Sequence, residues 1–430
     1  MSRRRFGAAL VALAAVRVLI PLAALAASGH ALPGLPRYEY GYRGDASGYY
    51  STARAILSGV RGLGAALAPL VLVLAGGLWL AARAWRRRPE RRPAALLGAL
   101  LVVSLSAAAV VAAGDRAAVG AVGWPLVWAV PLAPLRLAGV ISERSAFPVG
   151  LALSLAANAA TVAGVAYAGL YATRRRGVGL LAATIWALWP LLAGAVAGHG
   201  AWANGTWEAD SGLALYTEPL STALCAVTIA LVLRPEASGT TLVLAGLAAG
   251  YATLTRPTNA LLAALALLVV LARRGLRPAA LLGAGGLVAL PPFLAFLPKR
   301  HGYALSGTGE TGVFTGFSIH NVLPTFTDSP LWGGRALGAL LPPAAIGLTS
   351  VSGEAAVLLG GWALLNTGFY AFVPMTAGTP RYLYAAFPAL LVLWSAGAWT
   401  ALRALMHTAG LLATCRKAFV RTAAARRRRR

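Results

Sequence analysis

Apolar runs of roughly 20 residues recur along the 430-residue chain, separated by short clusters of arginine or by stretches rich in Pro, Gly and acids. A helix of that length crosses a bilayer core of roughly 30 Å. The pattern predicts helices over 8–28, 63–83, 94–113, 147–171, 178–198, 213–233, 240–254, 259–272, 279–297, 336–351, 355–373 and 382–402, about twelve spans. The fold class is therefore all-α: a polytopic membrane domain over 1–402, with loops at 29–62, 114–146, 199–212 and 298–335, and a basic tail over 403–430. The spans 240–254 and 259–272 are short and meet at LTRPTN. Pro257 lacks a helix donor and disfavours helix at Arg256, so a tight corner or broken helix is expected there, tolerated where protein or water covers the freed backbone.

One segment is ambiguous. GWPLVWAVPLAPLRLAG, 123–139, is apolar enough to span, but its three prolines and two tryptophans suit an interfacial or re-entrant helix. If it spans, the arginines at 174–176, at 273–277 and in the tail fall on the side opposite Arg3, Arg4 and Arg5. If it lies in the interface, all these clusters share one side with 86–92, as the tendency of Lys and Arg to mark cytoplasmic loops prefers. The second layout puts both termini in the cytoplasm. It places Glu90, Glu236 and Glu354 there too, and Glu39, Asp45, Asp115, Glu143, Glu208, Asp210, Glu218, Glu310 and Asp328 on the outer face of a cell membrane. Acids do not set topology, so their gathering is separate information that puts the chemistry outside.

Composition narrows the partners. The chain is 58% hydrophobic and 12% charged, too little charge to cover a soluble protein of this length. Its net charge of +26 does not point to nucleic acid, because the basic residues sit at the ends of apolar runs rather than on one face of a folded domain. Cys225 and Cys415, one in an apolar run and one in the tail, do not predict a disulfide, and five scattered histidines show no metal-ligand spacing. No cofactor is specified; a divalent metal is compatible with the chemistry below, but no ligand cluster implies one. The first apolar stretch follows Arg3, Arg4 and Arg5 and ends in small residues, as a signal peptide would, but its length favours a retained first helix. The tail reads either as a basic helix on anionic lipid, with Leu405, Leu412 and Phe419 seven residues apart, or as a disordered positive segment.

Four polar stretches break the apolar pattern on the outer side: GDASGYYSTARA at 44–55, ALYTEPLSTAL at 214–224, LTRPTNALL at 254–262 and GTPRYLYAAFP at 378–388. Glu218 is expected to open a helix, with Thr217 or Ser211 as cap and Pro219 in the first turn, where the helix dipole stabilises a carboxylate. Arg256 and Arg381 each neighbour a proline at a helix boundary. A planar guanidinium near hydrocarbon suits a lipid-linked phosphate; the alternative is that each pairs with Glu218 or Asp45 as structural glue.

These residues, in this order, resemble the GT-C superfamily of polyprenyl-phosphate-dependent glycosyltransferases, most closely the PIG-V-like mannosyltransferases. The likeness covers about 40–390. It rests on Asp45-Ala-Ser-Gly-Tyr49-Tyr50, Trp124-Pro125-Leu126, Tyr216-Thr217-Glu218-Pro219-Leu220, the Thr-Arg-Pro-Thr corner at 255–258, Pro380-Arg381-Tyr382-Leu383 and Phe387-Pro388. The hairpin over 63–113 and Gly44, where these enzymes commonly carry Trp, depart from the pattern. The resemblance implies inverting transfer of one sugar, mannose or a similar hexose or pentose, from a polyprenyl-phosphate donor to a hydroxyl of a lipid, glycan or protein acceptor. Asp45 is the first candidate for the base that takes the acceptor proton, and Glu39 the second. Arg256 and Arg381 would hold the leaving phosphate, with Tyr382 beside them, and Glu218 an arginine or acceptor hydroxyl. Tyr49, Trp202, Trp207 and loop 298–334 would supply the sugar-contacting surface. Two other classes compete: a transporter or lipid flippase, which also uses broken helices and charges at membrane depth, and a membrane scaffold without catalysis.

Overall fold

The computed structural model describes residues 1–27, 45–87, 89–116, 122–197, 215, 217–299, 319–321, 334–372 and 383–428. All its regular elements among these residues are helical. In chain order they are α1 (Arg3–Ala27), α2 (Asp45–Gly62), α3 (Leu67–Arg87), α4 (Arg92–Ala113), α5 (Gly123–Leu137), α6 (Glu143–Thr173), α7 (Arg176–Ala197), α8 (Glu218–Leu233), α9 (Gly239–Thr255), α10 (Ala260–Arg274), α11 (Leu276–Leu287), α12 (Leu290–Phe296), α13 (Gly334–Ser350), α14 (Gly361–Ala371) and α15 (Phe387–Arg428).

Seven stretches are long and apolar enough to cross a membrane: Arg3–Ala23, Gly64–Arg86, Pro89–Ala113, Ser145–Thr173, Pro257–Arg274, Leu276–Phe296 and Phe387–Ala409. Arg176–Leu192, Glu218–Leu233 and Gly239–Thr255 are apolar but shorter. A helix lies under each of the twelve expected spans, but not all have spanning length. Glu218 and Pro219 start α8 at 218 rather than 213. The 355–373 segment is interrupted by a π-helical stretch, Ala356–Gly360. α15 runs unbroken through 402, so the tail continues the last helix at least to Arg428.

Local chemistry sets several boundaries. Ser142 and Ser145 form a capping box at the start of α6, and Ser238 accepts from Thr241 N (3.2 Å) at the start of α9. Two buried hydroxyls inside helices return their protons to their own backbone: Thr161 donates to Ala157 O (2.9 Å) and Thr228 to Leu224 O (2.8 Å). This satisfies them without a partner from another helix. One apolar core joins α1, α6 to α10, α14 and the start of α15, with Trp186, Trp362 and Phe387 inside it. A second joins α2, α5, α12 and the start of α6 around Tyr50, Trp124, Trp128 and Phe296.

The basic clusters gather at one end. Met1 O accepts a bond from Arg176, Ser352 N donates to Ala172 O (3.1 Å), Arg273 lies against Gly353, Arg274 donates to Val232 O (2.7 Å), and Gly239 abuts Pro93. Had α5 spanned, Arg176 would lie at the end opposite Met1. α5 instead packs on α2, α6 and α9 at the other end, where Gly123 meets Thr255 and Trp128 donates to Ala146 O (3.1 Å). α5 thus lies at the end of the bundle opposite the basic clusters.

Candidate active site

The end opposite the basic clusters carries an ion pair between Glu218 and Arg256. Glu218 is the first residue of α8, with Pro219 following it in the first turn, as the sequence predicts. Arg256 ends α9 in extended backbone (φ −147°, ψ 118°), the conformation a following proline favours, and a 3₁₀ turn, Pro257–Asn259, leads into α10. The expected broken corner is therefore present, and it delivers the guanidinium to the carboxylate. Glu218 is 2% exposed and Arg256 12%. Two charges so far from water persist only with each other and with further hydrogen bonds.

Thr217 supplies these in an unexpected way. It occupies the N-cap position, but in helical backbone and without a capping bond. Its hydroxyl instead donates to Glu218 Oε2 (3.3 Å) and accepts from Arg256 Nε (3.1 Å), so it is a third member of the pair rather than a cap. The other proposed cap, Ser211, lies outside the described residues. The corner is tied to its neighbours: Asn259 Nδ2 donates to Ser221 Oγ (2.7 Å) and Ala252 O (2.9 Å), and the hydroxyls of Thr258 and Tyr370 are 2.9 Å apart. Asn259 Oδ1 and both polar side-chain atoms of Asn366, one turn below Tyr370, are buried with no hydrogen-bond partner among the described residues.

Asp45, the candidate base, is the first residue of α2; its side chain lies outside the described residues. Tyr49, one turn on, is buried in the second core. Glu39, Trp202, Trp207, Tyr216, Arg381 and Tyr382 lie outside the described residues. So does loop 298–334 apart from 298, 299, 319–321 and the first residue of α13.

A second buried cation is absent from the sequence reading. Arg17, in the middle of α1, is 0% exposed. It donates to Asn158 Oδ1 on α6 (3.0 Å), to Trp186 O on α7 (3.3 Å) and to Tyr384 Oη just ahead of α15 (2.6 Å), and stands 4.8 Å over the Trp186 ring. A signal was available, since Arg17 is the one charge within 7–27. An ionisable group at such depth marks function or architecture by default. Among the described residues no three His, Cys, Asp or Glu side chains come together as a metal site.

The arrangement provides a fixed guanidinium with a neutralising carboxylate, two steps from a helix that begins with an aspartate. Comparison with protein-family models, with curated proteins and with solved structures finds no match to this chain.

Proposed function

We propose that the protein is an integral membrane glycosyltransferase that moves one sugar from a polyprenyl-phosphate carrier to an acceptor hydroxyl at the end opposite its basic clusters. The observation that carries this reading is the Glu218–Arg256–Thr217 group at a helix start, beside a broken helix and at the end where α2 packs. Transfer from a lipid phosphate needs positive charge where the leaving phosphate gains negative charge. Arg256 supplies it, held in place by Glu218, and Arg381 adds a second guanidinium. Transfer also needs a base within reach of the acceptor hydroxyl. Asp45 takes that proton as the hydroxyl attacks the anomeric carbon and the carbon–phosphate oxygen bond breaks; Glu39 is the alternative. Mannose or a related hexose or pentose is the sugar the sequence likeness favours, and Tyr382 and the outer loops contact the substrates.

A transporter or lipid flippase is the second reading, favoured by the fully buried Arg17 within a spanning helix. Incubating purified protein with labelled polyprenyl-phosphate sugar and a panel of acceptors separates the two. Label appearing on an acceptor selects the enzyme, and uptake into vesicles without transfer selects the transporter. A scaffold predicts neither, with the external charges freely exchangeable.

A further inference from the structure

The two halves of the proposed site, the Asp45 helix and the Glu218–Arg256 pair, are joined through α5. Tyr50 of α2 lies 5.7 Å from the Trp128 ring, and Trp128 lies 5.9 Å from Trp124. This aromatic ladder is fixed at both ends. Trp128 Nε1 donates to Ala146 O on α6 (3.1 Å), and Trp124 Nε1 donates to Leu215 O (2.8 Å), three residues before Glu218. Leu215 is a buried non-glycine residue in left-handed backbone (φ 53°), a conformation an L side chain adopts at a cost and keeps only where its surroundings impose it. The start of α5 also grips the other arm. Gly123 O accepts from Tyr251 Oη (3.0 Å), and a Cβ on Gly123 would stand 2.6 Å from Thr255 N, next to Arg256. Only a residue without a side chain lets α5 approach the end of α9 this closely.

We infer that α5 is the positioning element of the site, with Trp124, Gly123 and Tyr251 setting the geometry of the Glu218–Arg256 pair relative to α2. The inference rests on the proposed role of Arg256 in binding the lipid phosphate. Trp124 and Tyr251 act through Arg256, so removing their hydrogen bonds costs binding only while Arg256 is present.

The test is a double-mutant cycle on the purified full-length protein in detergent, with a short-chain polyprenyl monophosphate as probe. Tyr251→Phe keeps the ring and deletes one hydrogen bond; Trp124→Phe deletes one hydrogen bond and shrinks the indole to a phenyl ring. Each is expected to raise Kd about fivefold, the worth of about one hydrogen bond, and to raise it no further in an Arg256→Gln background. Equal loss in both backgrounds overturns the inference. So does a lowered unfolding midpoint with unchanged Kd, which assigns α5 a packing role alone. Tyr251→Phe decides the matter if Trp124→Phe fails to fold. A wild-type protein that does not bind the probe removes the phosphate reading itself, and the inference with it; binding with additive losses removes the inference alone.

Discussion

At the scale of single residues, a few charges are buried where they are expensive to hold. Glu218 and Arg256 stabilise one another only as a pair, and removing one leaves the other buried and unmatched. Glu218→Gln should therefore destabilise by about 3 kcal/mol, read as a fall in the detergent unfolding midpoint, whereas Glu218→Gln with Arg256→Gln should recover part of the loss. Tyr384→Phe should cost about 2 kcal/mol, a hydrogen bond to a charged group, and its effect should shrink in an Arg17→Gln background; the same unfolding measurement checks both. For Asp45, Asp45→Asn should abolish sugar transfer while the protein inserts and elutes as wild type, and near-normal transfer would remove it as the base. Glu218 and Arg256 were legible in the sequence because each interrupts an apolar run beside a proline. Arg17 carried the same signal, but its partners Asn158 and Tyr384 are 141 and 367 positions away. No spacing rule connects them, so its role emerges only once α1, α6 and α15 are packed together.

At the scale of elements, prolines decide much of what hydropathy leaves open. Pro257 breaks the chain between α9 and α10 where the sequence predicts a corner. In α5, Pro131 and Pro134 lie inside a 15-residue helix that stays at one end of the bundle. Element type and order were readable from periodicity. Thr217 departs from the expected cap because capping is a local rule, and here a neighbouring guanidinium competes for the hydroxyl and wins. The 63–113 hairpin contributes little burial on its first arm: the spanning stretch Gly64–Arg86 has no buried residue, and Leu72 and Val73 are exposed. Replacing Leu72 by Ala should change stability by less than about 0.5 kcal/mol. Leu391→Ala in the core should cost about 3 kcal/mol. Comparing the two unfolding midpoints checks that this arm buries little against the rest of the bundle.

At the scale of the whole molecule, the fold sorts charge. Among the described residues, arginine clusters from four separate parts of the chain meet at one end, and the ion pair, the broken corner, α2 and α5 meet at the other. The charge rule that favoured this layout works because moving an arginine across a bilayer is costly during insertion, so topology is written in composition more plainly than any contact is. What composition does not carry is which loop faces which across the polar end, since that follows from packing between segments far apart in sequence. The proposed transfer of sugar from a lipid phosphate at this polar end is tested by incubating purified protein with radiolabelled polyprenyl-phosphate mannose and candidate acceptors. Label is expected on an acceptor, lost in Asp45→Asn and strongly reduced in Arg256→Gln. Transfer that survives both substitutions, or wild-type protein that moves the labelled lipid across vesicles without transferring its sugar, would contradict it.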